Sequence, residues 1–194
     1  HKWCRQIDAA VNTMNTLVSN MLHLARPQAM SLRPLDLHRV LDGVSDFALP
    51  LLETHNIVLE RNWCAGESRV NGNEEALRQM TLNLLLNAVQ AMPDGGRLSL
   101  ETRPDEGSED TRSICLHVID TGTGVDPDLL PRLFEPGFSQ RQGGTGLGLW
   151  IVGQIIEKHA ARVQIRSEVG KGTEFQVDFP LFKQENEGSF QGGK

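Results

Sequence analysis

No run in this sequence approaches the roughly 20 apolar residues that a membrane-spanning helix needs, and no signal-peptide pattern is visible. Cysteine is scarce. Cys4, Cys64 and Cys115 are odd in number and far apart, so they suggest neither a disulfide framework nor a metal pattern, which fits a reducing cytosol. Positive charge is not in excess: the net charge is −6, and a nucleic-acid partner is not suggested. No internal repeat is present. With 194 residues and a hydrophobic fraction of 39%, the chain has enough material for one domain with a core, plus an appendage.

Glycine is what stands out. Gly143-Gly144-Thr145-Gly146-Leu147-Gly148-Leu149 runs into an amphipathic stretch ending at His159. Glycines let a backbone approach another molecule closely. A loop of this kind opening a helix presents N–H groups and the positive end of the helix dipole, a natural site for phosphate. It is neither the dinucleotide fingerprint nor the Walker sequence, since no strand leads in and no Gly-Lys-Ser/Thr follows. A tight helix entry without a ligand is the plain alternative.

Residues 3–26 read as a helix, with Ile7, Val11, Met14, Val18, Met21 and Ala25 on a heptad seam that calls for a bundle or a dimer. Pro27 ends it, and Arg33-Pro34 marks an extended linker. Asp36 is placed to cap a helix over 37–53, and Asn73 to cap a long one over 74–92. Short strands are expected at 57–60, 97–103 and 114–119, and a short helix within 126–134. Residues 135–145 read as a mobile loop before a helix at 147–160. A hairpin about Gly170-Lys171-Gly172 closes the fold. The polar, glycine-rich residues 183–194 are expected to be disordered. The fold class is α+β, a largely antiparallel sheet covered by helices on one face.

Asn83, Asn87 and Gln90 form one polar stripe on an otherwise apolar helix. Amide oxygens can ligate Mg²⁺ and amide N–H groups can donate to phosphate; a solvated face is the plain reading. Asp120-Thr121-Gly122-Thr123-Gly124 puts a carboxylate at the end of an apolar strand, where it needs a donor. The amine of a nucleobase would serve, as would a simple capped turn. Phe134-Glu135-Pro136-Gly137-Phe138-Ser139-Gln140-Arg141 supplies two aromatics to anchor a flap and a cation to reach a phosphate.

The order Asn83-Leu-Leu-Leu-Asn87, Asp120-Thr-Gly-Thr-Gly, Phe134-Glu-Pro-Gly-Phe, Gly144-Thr-Gly-Leu-Gly-Leu and Gly170-Lys-Gly-Thr-Glu-Phe resembles the N, G1, F, G2 and G3 boxes of two-component sensor histidine kinases. The similarity covers about residues 55–182 and has the flavour of nitrogen-regulation and metal-stress sensors. It implies the Bergerat sandwich of the GHKL superfamily, with ATP and Mg²⁺ as cofactors. Asn87 would coordinate Mg²⁺, and Asn83 would support phosphate or metal. Gln90 stands where many relatives carry lysine. Asp120 would accept from the adenine amine, helped by Gly122, Gly124 and Thr173. Gly144, Thr145, Gly146, Leu147 and Gly148 would hold the phosphates. Residues 126–146 would form the lid, with Arg141 as its γ-phosphate cation.

The resemblance divides the chain into residues 1–30, the second helix of a dimerisation hairpin; 31–182, the ATP-binding catalytic domain; and the tail 183–194. The expected activity is transfer of the γ-phosphate to a histidine on an upstream helix, for relay to a response regulator. His23 lacks an acidic neighbour and is off the seam, so the chain is expected to be a fragment starting after the acceptor helix. The parent protein would be a homodimer through its helical bundle, cytoplasmic in this segment, with any membrane anchor elsewhere. A GHKL-type ATPase, or a nucleotide-binding module without phosphohistidine chemistry, is the alternative. The family's His-Gly-Gly is here His159-Ala160-Ala161, a change expected to affect the turn rather than ATP.

Overall fold

The computed structural model describes residues 30–105, 112–140 and 144–183. The helix expected over 3–26 and the tail beyond Lys183 lie outside the described residues. The elements in order are β1 (Arg33–Asp36), α1 (Leu37–Thr54), β2 (Ile57–Asn62), β3 (Arg69–Gly72), α2 (Glu74–Ala91), β4 (Gly96–Asp105), β5 (Ser113–Asp120), a 3₁₀ helix (Pro127–Arg132), α3 (Gly148–Lys158), β6 (Arg162–Glu168) and β7 (Gly172–Pro180).

The main sheet has the order β2-β4-β5-β7-β6. β2 and β4 are parallel, and the other neighbours are antiparallel. The stretch read as a linker at Arg33-Pro34 is instead β1, paired with β3 from Arg33 opposite Gly72 to Asp36 opposite Arg69. Proline is tolerated there because a two-stranded ribbon has an open edge on every strand.

Both expected caps form. Asp36 Oδ1 accepts from His38 N at 2.9 Å and from Ser68 Oγ at 2.7 Å. Asn73 Oδ1 accepts from Ala76 N at 3.0 Å, with Glu74 and Glu75 following in the first turn of α2. α1 buries Leu37, Val40, Leu41, Val44, Ala48 and Leu52, one apolar stripe. Each of these leucines and valines contributes roughly 1.5–3 kcal/mol when removed from water.

Strand alternation divides the sheet into two unlike faces. Leu98, Leu100, Leu116, Val118, Phe175, Val177 and Phe179 join the helices in one core. On the other face polar side chains bond to one another. Cys115 Sγ lies 3.2 Å from His117 Nε2, and His117 Nδ1 lies 2.8 Å from Glu174 Oε1. There the hydrogen bond from Arg103 holds the Glu101 carboxyl below the usual carboxylate range, against the opposing effect of burial.

Candidate functional site

At one end of the core-facing side the apolar pattern stops. Leu98, Asp120, Thr173 and Ser167 follow one another across β4, β5, β7 and β6 in register. Asp120 is only 4% exposed. Its Oδ1 accepts from Gly122 N at 2.8 Å and from Thr173 N at 3.3 Å. A buried carboxylate placed by two backbone donors is a built feature rather than a solvated strand end.

The loop after Asp120 is seated on α2. Thr123 N donates to the Ala91 carbonyl at 3.0 Å. A side chain at Gly122 would run into that same residue. Gly124 has φ of 66°, and a Cβ there would collide with the Glu168 carbonyl. Gly170 N donates to the Thr123 carbonyl at 2.8 Å, so the β6–β7 turn is stapled to this loop. The carboxylate, the end of α2 and the hairpin turn are thereby held at one place.

α2 brings its polar stripe to the start of α3. Asn83 is buried, and its Nδ2 donates to the Gly148 carbonyl at 3.3 Å. Asn87, one turn on, is half-buried, and Gln90 is exposed. Gly144 and Thr145 are exposed, and Gly146, Leu147 and Gly148 are half-buried. Leu147 sits at the N-cap of α3 and provides no side-chain bond to it. The first N–H groups of such a helix have no partner within it and favour an anion.

The flap between these parts has a narrow neck. Gly137 N donates to the Gly146 carbonyl at 3.3 Å. Gly146 has φ of 63°, and a Cβ there would collide with Gly137 and Phe138. Phe134 lies against Gly153 of α3, and Arg132 stacks 4.5 Å from the Phe138 ring centre. Both aromatics expected to anchor the flap therefore have seats. Arg141 lies outside the described residues.

Most of the residues singled out in the sequence thus meet at one end of the sheet: Asn83 and Asn87 on α2, Asp120 with Gly122 and Gly124, Thr173, and the loop at 144–148. One participant was not anticipated. Ser167 accepts from Val125 N at 2.8 Å and touches both Gly172 and Thr173. Its signal was a polar residue at the inward position of an alternating strand, after Val163 and Ile165.

Comparison with known proteins agrees with this geometry. Residues 72–183 match the family model described as histidine kinase-, DNA gyrase B- and HSP90-like ATPase. Sporulation kinase C of Bacillus subtilis is 33% identical over 180 residues, 90% of this chain and 40% of that protein. The mycobacterial sensor histidine kinase MprB superposes with a TM-score of 0.66 at 26% identity, covering 77% of this chain and 97% of that one. Full-length ShkA, solved in complex with AMPPNP, gives 0.75 at 28% identity over 89% of this chain and 36% of that one. The chain spans less than half the length of the curated relatives it matches. With the family model covering more than half of its residues, the chain belongs to the histidine kinase-, DNA gyrase B- and HSP90-like ATPase family, in the form found in the catalytic domains of sensor histidine kinases.

Proposed function

We propose that this chain is the ATP-binding catalytic part of a protein-histidine kinase. It would direct the γ-phosphate of ATP to a histidine on a helix upstream of residue 1, from which a response regulator receives it on an aspartate. Residues 1–30 would belong to the dimerising helical bundle of the parent protein, residues 31–182 to the catalytic domain and 183–194 to a tail. The observation that carries the reading is the buried Asp120, held by backbone donors beside Thr173 and next to glycine-rich loops that no simple turn requires.

The residues present fit Mg-ATP. Asp120 is an acceptor suited to a nucleobase amine, and the loop at 144–148 has backbone N–H groups for phosphates. Among the described residues no cluster of His, Cys, Asp and Glu is placed to hold a metal. A hard cation would then rest on the amide oxygen of Asn87, with Asn83 one turn away, and on the phosphates themselves. When bound, Mg²⁺ supplies charge neutralisation between the phosphates.

This chain's own residues then bind and orient. Asp120 and Thr173 fix the base, and Asn83 holds the start of α3 through the Gly148 carbonyl. The Gly137–Gly146 neck sets the path of the lid, which would exclude water and carry Arg141 to the γ-phosphate. Among the described residues no helix is long and apolar enough to cross a membrane.

The test extends the protein upstream by one helix and incubates it with γ-labelled ATP and Mg²⁺, with the 194-residue chain as control. Acid-labile, alkali-stable label on the longer protein alone is the expected result. Label on the short chain too would move the acceptor inside it, and free phosphate without labelled protein would point to an ATPase instead.

A further inference from the structure

We infer that Ser167 is a specificity-determining residue of the nucleotide site. Its hydroxyl fixes where the Thr173 proton points, so the polar row offers acceptors to the base and favours a 6-amino over a 6-oxo purine. The inference rests on the ATP-binding reading above.

A serine hydroxyl has one proton to give and two lone pairs to receive with. Val125 N–H donates to Ser167 Oγ at 2.8 Å, which uses one lone pair. Ser167 Oγ donates to the Gly172 carbonyl at 2.9 Å, and a carbonyl has no proton to return. The remaining neighbour is Thr173 Oγ1, also at 2.9 Å. With the serine proton committed, that contact forms only if Thr173 donates. Ser167 is then full, and the one hydroxyl proton of Thr173 is spent along the sheet.

Thr173 and Asp120 are direct cross-strand partners. Thr173 is left with lone pairs only, and an ionised Asp120 accepts only. The pair therefore meets a base with acceptors. A 6-amino group brings donors to it. A 6-oxo purine offers one donor, its N1–H, beside an acceptor oxygen, so one member of the pair and that oxygen are left facing each other without a partner. Nothing in the alternation of β6 demands this residue: another apolar side chain would continue Val163 and Ile165. The hydroxyl at this position is what wires the loop at Val125, the turn at Gly172 and Thr173 into one proton arrangement.

The experiment measures Mg²⁺-dependent binding of ATP and of inosine triphosphate to the full 194-residue chain and to Ser167→Ala and Ser167→Thr. The parent should prefer ATP. In Ser167→Ala the Thr173 proton is released and can turn toward a 6-oxo group, so the ATP-to-ITP preference should fall by roughly five- to tenfold, as for loss of one oriented hydrogen bond. Ser167→Thr should keep the preference. If Ser167→Ala does not fold, Thr173→Val serves in its place, since losing that acceptor should also lower the preference. An unchanged ratio, or equal weakening of both nucleotides, would make Ser167 a brace and overturn the inference while ATP binding stands. A parent chain that binds neither nucleotide would overturn the ATP-binding reading itself.

Discussion

The backbone N–H of Asn73 donates to Nε2 of His159 at 3.0 Å, joining residues 86 apart in the sequence. Asn73 caps the start of α2, and His159 closes the end of α3. The other ring nitrogen, Nδ1, lies 2.7 Å from the Ile155 carbonyl. A carbonyl only accepts and an N–H only donates, so both bonds require the neutral ring with its proton on Nδ1. The clamp between the two helices that flank the site thus exists in one protonation state.

This gives a pH dependence with a definite sign. Burial lowers the His159 pKa below the ordinary histidine value, with the Ile155 carbonyl opposing in part. Above about pH 6.5 neither folded nor unfolded chain protonates here, and the stabilisation is complete. As pH falls through that value the unfolded chain takes up the proton first, and stability declines. Urea unfolding at pH 7.5 and pH 5.5 should show the loss, and His159→Gln should make the profile flatter. An equally steep profile in the variant would remove His159 from this role.

Ala160 should gain from becoming glycine. Ala160 N donates to the Glu157 carbonyl and Ala161 N to the Ile156 carbonyl, both at 3.1 Å, which is a Schellman turn. The residue at its centre is a non-glycine with φ of 51°. Relief of that conformation should exceed the added freedom of the unfolded chain, so Ala160→Gly should stabilise by about 0.5–1 kcal/mol. Thermal melting measures it, and nucleotide affinity should stay as it was.

Asp120→Asn keeps the shape of the side chain and an oxygen for the Gly122 and Thr173 N–H groups. What it removes is the charge. Loss of a hydrogen bond to a charged group corresponds to about 1.5–3 kcal/mol, so ATP affinity should fall roughly 10- to 100-fold. Calorimetric titration reads the affinity, and an unchanged melting temperature would show that the fold survived.

Gly146→Ala tests the neck of the flap. The new methyl group would overlap Gly137 and Phe138, in a backbone conformation that alanine resists. Opening the neck should weaken ATP binding by roughly tenfold or more, about 1.4 kcal/mol for each factor of ten.

On the histidine-kinase proposal, Asn87→Ala should abolish Mg²⁺-dependent phosphoryl transfer in a protein extended upstream by one helix. Label incorporation over time is the readout. Transfer at the parental rate would take the metal away from Asn87.

Much of this was legible in the sequence, for local reasons. Asp36 and Asn73 are strong capping residues at the ends of periodic apolar runs, so the starts of α1 and α2 could be read directly. Asp120 stood out as a charge at the end of a buried strand. β1 and β3 did not stand out. Each has four residues, neither is continuously apolar, and each exists because the other pairs with it. The Asn73–His159 bond and the Ser167 hub were hidden for the same reason. Their partners are brought together by sheet order and helix packing, and no spacing along the chain announces them.

The place of β7 has a consequence for biosynthesis. It is the last of the described strands in sequence, yet it lies inside the sheet, between β5 and β6. Just beyond it, Leu181 bridges to Val70 and Phe182 N donates to the Arg69 carbonyl. A nascent chain that has not yet delivered Gly172–Pro180 has β5 with one open edge and β6 with no neighbour in the sheet. Closure must wait for contacts of large sequence separation, the slow kind. An early stop before Gly172 would not trim this domain; it would leave exposed strand edges prone to pairing with other chains.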